Sequence, residues 1–223
     1  MFATRIGELI GAQSGDPPFV GIMTNGTSGD VNNVDYSSPR RSMPPYAKMR
    51  IVANQAAAIV YKELQTTEYA DWVPLAAKQT EIPLAYRKPD EKRLAWARQV
   101  MDKPEDAPRE HIRERNYAER VLQLAQMPDQ LPCVLQVFRL GSLSVAAIPF
   151  EVFTETGLEL KSRSPSERAF TISLANGSNG YLPTRGQHAL GGYETWMGTN
   201  RVEVDAAHKI ADTLVELMES LHE

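Results

Sequence analysis

A single cysteine, Cys133, stands in 223 residues, so no internal disulfide can form and the chain is not a disulfide-stapled scaffold. It lies in the apolar run Leu131-Pro132-Cys133-Val134-Leu135, where a buried, unreactive thiol is expected. Basic charge is in slight deficit: 24 Lys and Arg against 28 Asp and Glu give a formal net charge of −4. That leaves no excess to neutralise phosphates, so nucleic acid is not expected as a partner and non-specific membrane adhesion is not favoured. No apolar run approaches the roughly 18 residues of a transmembrane helix. The first ten residues carry Arg5 and Glu8 and lack the layout of a signal peptide. Histidine is scarce too, with none before His111. The sequence shows no internal repeat and no low-complexity tract.

What is present suits a globular α/β protein, with 42% hydrophobic and 23% charged residues. Phe2, Ile6, Leu9 and Ile10 recur at helical spacing and predict an amphipathic helix ending near Gly11 or Gly15. Pro17-Pro18 and the run Phe19-Val20-Gly21-Ile22-Met23 then read as a turn and a buried strand. A helix followed by a strand, with no strand before it, is half of a strand-helix-strand unit, so the chain is expected to be the later part of a larger domain. Pro44-Pro45 opens a helix from Tyr46 to Leu64 that is expected to be well buried, since Ala56-Ala57-Ala58 permits close packing.

Farther on, the stretch from Trp72-Val73-Pro74-Leu75 through Ile82-Pro83-Leu84-Ala85-Tyr86 reads as β-rich, its prolines suggesting edge strands or a strand interrupted by bends. Two charged surface helices are predicted between Pro89 and Met127, broken near Lys103-Pro104. Val134–Arg139 and Leu143–Ile148, separated by Gly141-Ser142, predict a hairpin. A helix from Val152 to Lys161, a strand from Phe170 to Ala175 and a terminal helix from Val204 to Leu221 follow. In the last of these, Ile210, Leu214, Leu217 and Leu221 form one stripe. The expected architecture is a single mixed α/β domain over 1–223, a central sheet flanked by helices.

Three segments carry more polar chemistry than a fold requires. Thr24-Asn25-Gly26-Thr27-Ser28-Gly29-Asp30-Val31-Asn32-Asn33 follows the first strand signal and can offer N–H groups and hydroxyls to a developing oxyanion. It can equally be a turn in which Asn and Asp side chains bond their own backbone. Glu151, in Ile148-Pro149-Phe150-Glu151, sits where a strand becomes a helix, placed either to cap that helix or to ligate a metal. Between Asn176 and Glu194, Tyr181 and Tyr193 lie twelve positions apart, each after a glycine, and are either partners in one cleft or half-buried loop anchors.

In this order and spacing the three segments resemble the neutral ceramidase family, zinc enzymes that hydrolyse the amide bond of N-acylsphingosines. Gly29-Asp30-Val31 is similar to the start of the family's Gly-Asp-Val-Ser-Pro-Asn loop, with Asn32 where the family has its catalytic serine. Pro149-Phe150-Glu151 resembles Pro-Gly-Glu, whose glutamate binds zinc, and Tyr181 falls at the tyrosine zinc ligand. Tyr193, in Gly-Tyr-Glu, is similar to a substrate-contacting tyrosine.

The resemblance implies a partial ceramidase-like catalytic domain with no separate immunoglobulin-like domain, and an N-acyl lipid substrate cleaved to sphingosine and fatty acid. It implies Glu151 and Tyr181 as zinc ligands and Asn32, Ser28 and Asp30 as the catalytic loop, Ser28 or Thr27 standing in for the missing serine. Tyr193 and Gly29 are the expected substrate-binding positions, and His188, near Tyr181 and Tyr193 in sequence, is the one histidine considered for the cleft, to touch substrate or metal. The family's two zinc-binding histidines precede the Gly-Asp-Val loop, and no histidine does so here. The isolated chain is therefore expected to bind zinc weakly or not at all and to show little activity. A secreted or membrane-associated setting follows from the family, although the chain carries no signal for it. A non-catalytic lipid-binding or regulatory module on the same fold, and a hydrolase of another N-acyl amide, remain the alternatives.

Overall fold

The computed structural model describes residues 1–12, 15–39 and 42–222. The chain divides into two compact units, one formed by Met1–Thr24 and Asn32–Val73, the other by Asn25–Val31 and Pro74–Glu223.

The first unit is built on two helices, α1 (Phe2–Leu9) and α2 (Ala47–Leu64). Ile6 of α1 and Ala53 and Ala57 of α2 are buried where the two helices pack. The alanines permit the close approach the sequence suggests, but the expectation of a well-buried α2 does not hold. Met49, Ile51, Val52 and Ile59 are exposed, because α1 covers only the alanine stripe. The expected strand at Phe19–Met23 is also absent. The run crosses α1, with the Phe19 ring against Gly7 and Gly21 against Ala3, yet it forms no ladder and leaves Val20, Ile22 and Met23 exposed. Apolar composition gives a segment the capacity for burial, whereas strand formation also needs a neighbouring strand to take its N–H and C=O groups.

The second unit holds a four-stranded sheet in the order β1-β2-β3-β5 (β1 Leu75–Ala85, β2 Gln130–Leu140, β3 Leu143–Ile148, β5 Arg168–Ser173). β1 and β2 pair antiparallel over eleven residues, and β2 turns into β3 with Leu140 opposite Leu143 across Gly141, which is left-handed at φ 61°. β3 and β5 run parallel, joined by β4 (Glu151–Val152) and the crossover helix α5 (Thr154–Arg163), the connection a parallel pair requires. Of the two readings of the prolines, the edge strand holds and the bend-interrupted strand does not: β1 runs unbroken at the sheet edge, and Pro83 lies opposite Pro132. Ala85, two residues on and so pointing the same way, donates its N–H to Glu203 rather than to β2. Pro83 thus faces away from the ladder, and Pro132 lies outside the stretch of β2 that pairs with β3, so neither costs the sheet a bond.

Helix α7 (Ala206–Glu219) covers one face of the sheet. Leu84, Cys133, Leu135, Val137, Ala146 and Ile148 from the strands meet Ile210, Leu214 and Met218 in one core. The buried stripe of α7 also takes in Ala207, Ala211 and Val215, with Leu217 and Leu221 at its margin. Burial pushes the Cys133 thiol up to about 12, which makes it the inert core residue expected. α3 (Glu91–Asp102) and α4 (Glu114–Gln126) pack through Ala97, Val100, Ala118 and Val121, and α3 is capped by Asp90. No helix among the described residues is long and apolar enough to cross a membrane.

The two units place opposite demands on similar side chains. Leu214→Ala, at a fully buried position, is expected to cost about 2–5 kcal/mol, while Ile59→Ala, at an exposed one, stays within about 0.5 kcal/mol; urea denaturation of both variants measures the contrast.

Candidate functional site

The site grows out of the carboxyl ends of β3 and β5. Ile148, Phe150 and Val152 alternate into the core and are wholly buried, so the residue between the last two, Glu151, turns the other way and stays half-exposed. After β5 the chain reverses through left-handed Leu174 (φ 57°) and Asn176 (φ 63°) and enters β6 (Tyr181–Leu182), which pairs parallel with β4. This pairing sets Glu151 directly opposite Tyr181.

Gly180 makes the approach possible. At φ 90° it holds a conformation that side chains disfavour, and a Cβ there would lie 2.4 Å from the Thr199 carbonyl oxygen. The same residue accepts the Glu151 N–H at 2.9 Å.

Tyr193 arrives from a single 3-10 turn (Tyr193–Thr195) that follows helix α6 (Arg185–Leu190). Its hydroxyl lies 3.2 Å from that of Tyr181, and the rings meet edge to face with centroids 5.6 Å apart. Burial first, then hydrogen bonding to Tyr193 and Glu151 and the Glu151 charge, hold the Tyr181 phenol well above the ordinary tyrosine range. At neutral pH it is a neutral donor beside a carboxylate. No lysine or arginine pairs with Glu151 among the described residues.

The loop Asn25–Val31 docks on the same junction. Asn25 accepts the Ser173 N–H at the end of β5, Gly29 donates to Val152 O at 2.7 Å, and Asp30 Oδ1 accepts both the N–H and the hydroxyl of Thr154 at 2.8 Å each. A Cβ on Gly29 would stand 2.7 Å from the Glu151 carbonyl oxygen, so only glycine fits. Ser28 Oγ bonds the Asn25 side chain at 3.1 Å. Ser28, Gly29 and Asp30 therefore lie on a loop that meets the chain at Glu151–Thr154, with Gly29 against the backbone of Glu151 and Val152. Asn32 belongs to the first unit, where its amide donates to the Tyr36 hydroxyl at 3.1 Å.

His188 lies in the last turn of α6. Its Nε2 is buried without a hydrogen-bond partner among the described residues, and burial together with Arg87 holds its pKa below the usual histidine value, so the ring is neutral at pH 7. It makes no hydrogen bond to Glu151, Tyr181 or Tyr193. The other three histidines are exposed, as the sequence suggests.

Among the described residues, Glu159, His208 and Asp212 are the one group of three whose ligand atoms come within 4.8 Å of one another. They lie between α5 and α7. Arg163 already bridges both carboxylates, at 2.7 Å to Glu159 and 2.8 Å to Asp212, so their charge is compensated. Sequence reasoning missed Thr154. Thr154 opens a helix three residues after Glu151, a position where its N–H needs a partner, and this was its only signal.

A solved structure of neutral ceramidase from Pseudomonas aeruginosa superposes on 99% of this chain with a TM-score of 0.63 and 16% sequence identity. The chain has a neutral-ceramidase-like fold. A second solved ceramidase, complexed with C2, covers 79% of the chain with a TM-score of 0.53 at 13% identity. At such identities the likeness is one of fold. The chain spans 40% and 34% of the length of these two ceramidase chains. No protein-family model matches the sequence, and no curated protein does.

The raised phenol of Tyr181 has a consequence for alkaline stability. A folded-state value above the unfolded value means the native state holds its proton more tightly, so the contribution is complete below about pH 10 and is lost as pH rises beyond it. Stability measured by urea denaturation between pH 9 and 11 is expected to fall more steeply in the wild type than in Tyr181→Phe.

Proposed function

We propose that this chain supplies part of the catalytic site of an amide hydrolase acting on an N-acyl lipid, with N-acylsphingosine as the model substrate and zinc as the metal. The observation that carries the reading is the parallel pairing of Glu151 with Tyr181, beside the Tyr193 hydroxyl, on a ceramidase-like fold. A carboxylate and a phenol side by side, with no basic partner for the carboxylate among the described residues, suit a divalent cation.

Glu151 and Tyr181 would hold the zinc, which when bound polarises the amide carbonyl and makes water a nucleophile at neutral pH. The chain's own groups do the rest. Tyr193 offers a phenolic O–H to the substrate oxygen, and the Asn25–Val31 loop presents hydroxyl and amide groups beside Glu151. Two donors are one fewer than the three protein ligands that zinc sites generally use, so residues 1–223 alone hold zinc weakly.

A second reading, a lipid-binding module that keeps the fold without the chemistry, draws on one observation. Where the family has its catalytic serine this chain has Asn32, an amide engaged with Tyr36. Chelator response separates the readings, since cleavage of an N-acyl lipid that a chelator abolishes belongs only to the hydrolase.

Elemental analysis of the purified chain after zinc loading and desalting is expected to give well under one zinc per chain, and less still for Glu151→Ala and Tyr181→Phe. One full equivalent that survives both substitutions would place the metal elsewhere and overturn this site.

A further inference from the structure

We infer that Asp30 is a positioning residue: its carboxylate is the external cap of helix α5 and the latch that holds the Asn25–Val31 loop against the Glu151 strand. This deepens the hydrolase reading and rests on it only for its catalytic meaning. The first N–H groups of any helix lack partners within the helix, and at α5 the residue in the capping position is Phe153, which has no side-chain acceptor. Asp30 fills the vacancy from 124 residues away, taking the Thr154 N–H and the Thr154 hydroxyl on the same oxygen, both at 2.8 Å. An anionic acceptor at a helix N-terminus gains from the helix dipole as well as from the two bonds.

The latch has three further contacts. Gly29, next to Asp30, donates to Val152 O at 2.7 Å, one residue past Glu151. Thr154 Oγ1 also lies 3.3 Å from Thr27 O, and the Thr27 side chain fills a notch over Gly157, where a Cβ would stand 2.3 Å from Thr27 Oγ1. Loop and strand therefore share one fixed separation, set by backbone and carboxylate rather than by flexible side chains. The carboxylate, committed to two donors on α5, acts on the reaction through the loop and not as a proton carrier.

Backbone amide exchange tests this without any catalytic activity. In Asp30→Ala and in Thr154→Val, the Gly29 and Thr154 amides are expected to exchange about tenfold faster or more, while β2 and β3 core amides stay within about twofold. Asp30→Asn, whose Oδ1 can still accept, restores most of the protection, and the Asp30→Ala/Thr154→Val double variant is no worse than Asp30→Ala alone. Unchanged Gly29 and Thr154 amides in Asp30→Ala would overturn the latch, as would Asp30→Asn behaving like Asp30→Ala. If the wild type turns over an N-acyl amide, Asp30→Ala is expected to lower kcat at least tenfold with KM within about threefold, and to leave the pH dependence of kcat unmoved. A shifted pH profile would make Asp30 a proton-transfer group. Amide exchange decides the latch by itself, whether or not residues 1–223, which alone hold zinc weakly, turn over an N-acyl amide.

Discussion

The backbone of Ile148–Val152 is the constraint on which the second unit turns. Ile148 O accepts the Ala175 N–H, Pro149 O accepts both the backbone and side-chain N–H of Asn179, and Phe150 O accepts the Leu174 N–H. Glu151 N–H goes to Gly180 O and Val152 O takes the Gly29 N–H. Five residues are thus tied to the segment that leads into β6 and to the loop before the unit's main body. Beneath them the side chains of Ile148, Phe150 and Val152 are sealed in the core. Rotating Glu151 away from Tyr181 would require exposing Phe150 or Val152 and leaving buried backbone groups unpaired, each a penalty on the order of 1–3 kcal/mol. The carboxylate's direction is therefore fixed by the burial of its neighbours.

The reversal between β5 and β6 serves the same junction. Leu174 and Asn176 both sit in the left-handed region, which is uncommon for a leucine and tolerated by an asparagine. Leu174 is kept there by its bond to Phe150 O, so the local conformational expense is met by contacts that also hold Glu151. Strain and site coincide because one tight crossing of chain segments produces both.

Local signals made much of this legible. The short apolar runs Val134–Arg139 and Leu143–Ile148, the Gly141-Ser142 turn between them and the apolar period of the last helix each depend on neighbours in sequence, and each element appears as expected. The ceramidase-like likeness was carried by short motifs whose order the fold preserves. Phe19–Met23 and α2 were misread because burial was inferred from apolar content, and content does not say whether a covering surface exists. The Asp30–Thr154 latch was illegible for a different reason: its partners are 124 positions apart, and a carboxylate in a polar loop carries no mark of which helix it will cap. Likewise Gly29 reads as a turn glycine, whereas its conformational freedom is not what the fold uses. What matters is the missing Cβ, which lets one backbone touch another.

Charge gives the last constraint. Glu151 has no lysine or arginine partner among the described residues, and Arg87 is turned to Thr195 O and Asn200 Oδ1. By contrast Glu159 and Asp212 share Arg163, and Asp205 holds Arg185. A half-buried carboxylate beside phenols, with no lysine or arginine paired to it among the described residues, is an arrangement that the divalent cation of the proposed reading would balance. That cation would also lower the phenol's hold on its proton, turning Tyr181 from a donor into a ligand. The features that make the pair an unfavourable arrangement in isolation are thus the ones a metal would use.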